Sequence, residues 1–211
     1  DKEARHGCEV LEKMKDHIGN FNNARTLELS PGDRKHVDDL FLLTMKPVMF
    51  VCNVDEKSAV AGNKYVDQVR DALKGRDIEV IVIAGEIEAE IAEFENPDDR
   101  LAFLQDAGLD EPGVDRMVRA AYRMLDLQTF FTVGPKEIRA WTIKRGMTAP
   151  QASGVIHSDL ERGFIRAEVM KYHDFVTLGS EHACREAGRF FVEGKNYVVE
   201  DGDILHIRFN V

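Results

Sequence analysis

No stretch of this 211-residue chain approaches the roughly 20 consecutive apolar residues that cross a bilayer, which excludes a helical membrane anchor within it. The first residues, Asp1 to His6, carry neither an apolar signal segment nor an initiating Met, which reads as a fragment or a processed product. Cysteine is scarce: Cys8, Cys52 and Cys184 are odd in number, far apart, and form no Cys-x-x-Cys pair. A disulfide framework is therefore not expected, and a reducing cytoplasm is the simplest setting. The seven histidines show no metal-binding spacing, so no metal ligand is assigned.

Positive charge is also in short supply, with 28 Lys and Arg against 38 Asp and Glu, a net charge of -10. The excess is uneven. From Thr129 onward there are 11 of each sign, which leaves 17 basic and 27 acidic residues in positions 1–128. General electrostatic attraction to nucleic acid is not expected, but a locally basic face on the neutral part is compatible with this balance. A further absence is the phosphate loop. Gly-x-x-x-x-Gly-Lys-Ser/Thr occurs nowhere, and Gly194-Lys195-Asn196 lacks both the first Gly and the hydroxyl. Without it this piece has no cradle for phosphates and no hydroxyl ligand for magnesium, and it should not hydrolyse a nucleotide by itself.

What the chain does have is 44% hydrophobic content, enough for one or two buried cores. Ala4, Cys8, Leu11, Met14 and Ile18 recur at helical spacing up to Gly19, and a second helix follows Ser30-Pro31 with Val37, Leu40, Phe41 and Thr44 on one face. Val48 to Cys52 reads as a strand buried on both faces, the face of Tyr65 to Leu73 as a helix, and Ile78 to Ala84 as a second buried strand. Strand, helix, strand predicts a parallel crossover. Three helices follow, around Ile87 to Phe94, from Asn96-Pro97 to Gly108, and from Val114 to Leu127.

The pattern changes at Thr129. Two strands, Thr129 to Val133 and Glu137 to Ile143, flank Gly134-Pro135, a hairpin signal. A capping box, Thr148 to Gln151, opens a helix. Ile165, Ala167 and Val169 alternate as a strand, Ser180 caps a short helix closed by Gly188, and a last strand turns Leu205, Ile207 and Phe209 inward. Residues 1–128 thus read as part of an α/β domain and 129–211 as a small α+β domain of the β-grasp kind.

Two loops carry candidate chemistry. Asn53-Val54-Asp55-Glu56 follows the first strand and has the shape of the Asn-Lys-x-Asp loop that reads guanine, with Val54 in place of Lys and Glu56 in place of Asp. Glutamate is one methylene longer and displaces the carboxylate fork, and adenine offers an amine donor beside a ring acceptor, so guanine selectivity should weaken. Taken alone, the four residues read as the turn and solvent residues that commonly follow a strand. Ala84-Gly85 follows the second strand at the same sheet edge, where open α/β sheets bind ligands, and a Gly there lets backbone approach a base; an ordinary helix start is the alternative. In the second domain Lys136, Arg139, Lys144 and Arg145 surround one hairpin beside Phe130, Phe131 and Trp141. They would grip RNA by phosphate contact and stacking, or else form a solvated hairpin over an aromatic core.

With these residues in view, the chain resembles the YchF, or Obg-like ATPase, branch of the translation-factor P-loop proteins. The matching segments are LLTMKPVMFVCNVDE, AGEIEAEIAEF, the long run from Leu125 to Phe175, and GKNYVVEDGDILHIRFNV. The resemblance implies a partial P-loop-type nucleotide-binding domain with a helical insertion over residues 1–128, and a β-grasp TGS domain over 129–211. Members of the family are similar in replacing Asn-Lys-x-Asp by Asn-x-x-Glu and accept ATP as well as or better than GTP. On that basis Asn53, Val54 and Glu56, with backbone at Ala84 and Gly85, become base-contacting positions. The resemblance further implies ATP or GTP with Mg2+ in the complete protein, no tight nucleotide binding by this piece, and a cytoplasmic location. It implies a partner in the ribosome, on the large subunit, or in RNA, reached through the TGS domain and the helical insertion, with no membrane and no DNA sequence specificity. A second class keeps only the RNA- or ribosome-binding module without catalysis, and a third is a plain protein-interaction domain.

Overall fold

The computed structural model describes residues 1–76, 78–134 and 137–210. The chain divides into two compact units, Asp1–Val118 and a second from Arg119 onward.

In the first unit, α1 (Lys2–Gly19) starts where the Asp1 carboxylate accepts the Glu3 N–H at 3.0 Å, and α2 (Pro31–Asp38) starts where Ser30 Oγ accepts the Asp33 N–H at 3.1 Å. Val10 and Met14 of α1 bury against Val37 of α2 and Ala24. The second helix is shorter than its apolar spacing predicts. It stops at Asp38, Phe41 takes the left-handed φ of 49°, and Leu43–Met45 forms a single 3-10 turn. A tertiary contact accounts for the break: Thr44 Oγ1 accepts the Ala24 N–H at 3.1 Å and its carbonyl accepts from Arg25 at 3.2 Å, so Thr44 serves the neighbouring turn.

Strands β1 (Phe50–Asn53) and β2 (Val80–Ile83) pair in parallel, Phe50 opposite Val80 and Asn53 opposite Ile83, with α3 (Lys64–Ala72) in the crossover as predicted. The expectation that the first strand is buried on both faces does not hold. Phe50 and Val51 are each 40% exposed, because the described sheet of this unit has two strands, whereas Ile81 and Val82 of β2 are buried. Helices α4 (Gly85–Glu93), α5 (Pro97–Asp106) and α6 (Gly113–Met124) follow, and Gly108 ends the α5 segment at a φ of 69°. Ala59, Ala84, Ile87, Ile91 and Leu104 form the core beneath the two strand-end loops.

The second unit is a mixed five-stranded sheet. Its strands are β3 (Leu127–Val133), β4 (Ile138–Lys144), β5 (Phe164–Lys171), β6 (Phe191–Glu193) and β7 (Asp203–Phe209), in spatial order β4-β3-β7-β5-β6. The β3/β7 pair is parallel and the other neighbours are antiparallel. On one face lies α7 (Ala149–Ile156), whose capping box is formed, with Gln151 Oε1 accepting the Thr148 N–H at 2.9 Å; Ala149 and Ala152 pack on Phe130, Ile143, Val169 and Leu205. On the other face Cys184 of α10 (Glu181–Glu186) packs on Met170 and Ile204. Two short helices, α8 (Ser158–Arg162) and α9 (Tyr172–Leu178), complete the connections.

Ile165 corrects the alternation expected for β5. A register irregularity between Phe164 and Arg166 moves Phe164 into the core and leaves Ile165 54% exposed, while Ala167 and Val169 point inward as expected. Phe209, expected inward, is 46% exposed at the end of β7. The unit boundary at Val118 and Arg119 lies within α6, ahead of the composition change at Thr129.

Candidate functional site

The parallel register sets Asn53 and Ile83 side by side, so the loops after β1 and β2 leave the sheet at one level. The Val54 N–H still donates to the Ile83 carbonyl, at 2.9 Å, which extends the pairing one residue into the first loop. Across the loops, Asn53 Oδ1 accepts the Gly85 N–H at 2.9 Å. A Cβ on Gly85 would lie 3.2 Å from that oxygen, so glycine leaves the side-chain amide room to close on the backbone. With its oxygen engaged, Asn53 keeps the two Nδ2 hydrogens as donors on an exposed residue.

The remaining loop residues separate by role. Asp55 makes the turn: its carboxylate accepts the Ser58 N–H at 3.1 Å and opens the 3-10 turn Glu56–Ser58. Glu56 is exposed and its carboxylate takes no part in that turn. Val54, at the position of the usual Lys, is partly buried against the Ala59, Ala84 and Ile87 core. Ala84 is itself 3% exposed, and its carbonyl accepts the Glu88 N–H at 3.0 Å at the start of α4. The structure therefore brings Asn53, Val54, Ala84 and Gly85 together and leaves Glu56 on the adjoining turn.

Behind this edge is a contact that the sequence reading missed. The Glu88 carboxylate of α4 accepts the Gly113 N–H at 2.6 Å and the Val114 N–H at 3.3 Å, capping α6 from 25 positions upstream. Arg116, one turn on, donates to the Val82 carbonyl at 2.9 Å. The available signal was an acid in the first turn of α4 and a Pro-Gly pair, Pro112-Gly113, opening α6; neither specifies the partner.

The basic hairpin is less of a patch than its sequence suggests. Arg139 lies over the Trp141 ring at 4.1 Å, and Trp141 Nε1 donates to Thr132 Oγ1 at 2.9 Å. At the other end of β4, Lys144 Nζ donates to the Leu125 carbonyl at 2.7 Å, and the Arg145 guanidinium lies 3.6 Å from the Asp126 carboxylate. Lys144 and Arg145 therefore close the end of α6. Lys136 lies outside the described residues. Phe130 is wholly buried, while Phe131 and Trp141 are both half-buried, Phe131 packing on the opposite face beside Tyr172.

Comparison with known proteins places these features in context. The family model YchF-GTPase_C, described as a protein of unknown function, matches residues 127–210. Along its whole length the chain is 45% identical to the ribosome-binding ATPase YchF of Haemophilus ducreyi and 45% identical to that of Bacillus subtilis, and it spans 58% of the length of each. Among solved structures it is similar to the YchF GTPase of Schizosaccharomyces pombe, with a TM-score of 0.81 at 30% identity over 95% of this chain and 53% of that one. A GTP-binding protein from Pyrococcus horikoshii OT3 shares the fold, with a TM-score of 0.56 at 15% identity over 98% of this chain and 56% of that one.

Proposed function

The chain belongs to the YchF family, and from that premise we propose that it supplies the base-reading edge and the docking module of a ribosome-associated nucleotide hydrolase. The observation that carries this is the hydrogen bond from the Gly85 N–H to Asn53 Oδ1, which fixes the side-chain amide with its donors outward. Asn53 Nδ2 donates to a ring nitrogen of the base. Glu56 then accepts an exocyclic amine, which adenine presents beside its ring acceptor whereas guanine presents a carbonyl there. Val54 holds the loop on the core instead of laying an aliphatic stem along the base.

ATP or GTP with Mg2+ is the ligand of the complete protein. The residues present fit its base end alone; the sequence contains no Gly-x-x-x-x-Gly-Lys-Ser/Thr loop, so the phosphates and the metal are held by other parts of the whole protein, which supply phosphoryl transfer. By itself this chain binds nucleotide weakly and does not turn it over. Residues 129–211 act as a β-grasp TGS module, and this module docks on ribosomal RNA in the cytoplasm.

The test uses the full-length protein. Glu56→Asp should move the ratio of ATP to GTP affinity, measured by competition against a fluorescent nucleotide, toward GTP by at least about fivefold. An unchanged ratio removes Glu56 from base recognition. Co-sedimentation with ribosomes tests the docking half independently.

A further inference from the structure

The sheet face that carries α7 is not covered to its end. Beyond Ile156 of α7 and Leu160 of α8, a groove of about 470 Å³ opens over the hairpin ends of β3 and β4 and the middle of β7. Its walls are the apolar side chains of Ile156, Leu160 and Ile207, and Trp141 with Arg139 stacked on it stands at one side. The indole is not free to rotate, because Nε1–H is tied to Thr132 Oγ1 across the strand pair at 2.9 Å. A fixed aromatic ring, a planar guanidinium parked over it and an apolar slot beside both form a place for one more flat ring.

We propose that this groove is a binding site for a single unpaired base of an RNA strand. The base inserts between the apolar walls and adds to the Trp141–Arg139 stack, and the Arg139 guanidinium contacts the neighbouring phosphodiester. The charge argues for a strand rather than a free nucleotide. Arg139 is the one permanent cation among the described lining residues, and Glu137 lines the same groove. One guanidinium matches the single charge of a phosphodiester, whereas a nucleoside triphosphate would bring several charges to a site with a carboxylate beside its cation. A duplex cannot use the site, because its bases offer no free face. The inference rests on the RNA-docking part of the proposed function and names both the contact and the feature of RNA that it selects.

Trp141 is the sole tryptophan of the chain, so its fluorescence reports this groove alone. The 211-residue protein would be titrated with a fluorescently labelled single-stranded RNA of about eight nucleotides, its duplex, and ATP, reading tryptophan emission and RNA anisotropy together. The expected result is quenching of Trp141 in step with anisotropy for the single strand, at least about fivefold weaker binding of the duplex and of ATP, and at least about fivefold weaker binding of the single strand by Arg139→Ala, with Lys195→Ala unchanged. Circular dichroism melts of each variant confirm that the fold is retained. RNA binding that leaves Trp141 emission and the Arg139→Ala affinity unaltered would overturn the groove and leave the RNA-docking reading standing. Tighter binding of ATP than of the single strand would overturn the choice of a strand. No RNA binding at all would overturn the groove as well, and ribosome co-sedimentation of the full-length protein would then decide the docking reading separately.

Discussion

Asn53 Oδ1 and the Gly85 N–H, 32 positions apart in the chain, meet at 2.9 Å where two parallel strands end. One side-chain atom thereby has a structural task, and the proposed base contact would use the other. Asn53→Asp keeps the acceptor and loses the donors, whereas Asn53→Ala loses both. Urea unfolding of the chain should show Asn53→Ala destabilised by about 0.5–1.5 kcal/mol and Asn53→Asp by less. Both variants should lose nucleotide affinity in the full-length protein. Equal stability of wild type and Asn53→Ala would mean that the inter-loop bond contributes nothing.

Glu88 offers a second separation of roles, since it caps α6 through Gly113 and Val114 without lying in the loops themselves. Glu88→Ala should cost about 0.5–2 kcal/mol in the same unfolding measurement. Gly113→Ala should be at least as damaging, because the added Cβ would come within 2.6 Å of Glu88 Oε1 and 2.8 Å of Ile83 Cγ2. A wild-type melting curve for Gly113→Ala would contradict the close approach.

Acid sensitivity is expected from Glu168, which is 6% exposed and held by Arg208 through contacts of 3.2 and 2.9 Å, with Arg166 and Arg185 farther off. The Arg208 hydrogen bonds hold its carboxyl below the usual carboxylate range, against the opposing effect of burial. A folded pKa below the unfolded one gives stability that is present above the ordinary carboxylate value and lost as pH falls through the depressed one. Glu168→Gln should therefore be less stable than wild type at pH 7, and the difference should shrink as the solution is acidified below about pH 4. A difference that stays constant with pH would show that Glu168 acts by shape alone.

Alkaline behaviour should single out Tyr197. Its hydroxyl donates to Asp203 at 2.7 Å beside Lys171, and burial followed by that hydrogen bond pushes its pKa up to about 12. Spectrophotometric titration should find one of the four tyrosines ionising only near pH 12. Because the folded pKa is raised, the associated stability is complete below the ordinary tyrosine value of about 10 and is lost as pH climbs toward 12. Asp203→Asn should bring the late titration earlier.

Much of this architecture is legible in the sequence where local chemistry and tertiary packing agree. Asn96 and Ser180 cap the helices that they precede, Thr148 and Gln151 form their box, and the two loops that carry Asn53 and Gly85 emerge at one edge because strand, helix and strand must cross over in parallel. The failures arise where a distant partner overrides periodicity. Thr44 continues a helical face on paper but bonds to Ala24, and Ile165 continues an alternation that the bulge interrupts. The basic hairpin is split for a related reason. Sequence proximity joined Arg139 to Lys144 and Arg145, while the fold gave the latter two to the end of α6. Trp141 with Arg139 became meaningful only once the groove beside them was visible.

The pairing of Asn53 with Ile83 has a consequence for how this edge tolerates change over generations. Each strand is only four residues long, and the inter-loop bond joins Asn53, at the last pair, to Gly85, two residues past it on the other side. Removing or adding one residue in either strand would shift Gly85 by about 3.3 Å along the sheet and turn its neighbours to the opposite face. Glu56 is exposed on the adjoining turn, so under the proposed base-reading role a substitution there would retune base preference without touching that spacing. Descendants of such a sequence are thus free to change the side chain at Glu56 and are held to the count of residues between Phe50 and Asn53 and between Val80 and Gly85.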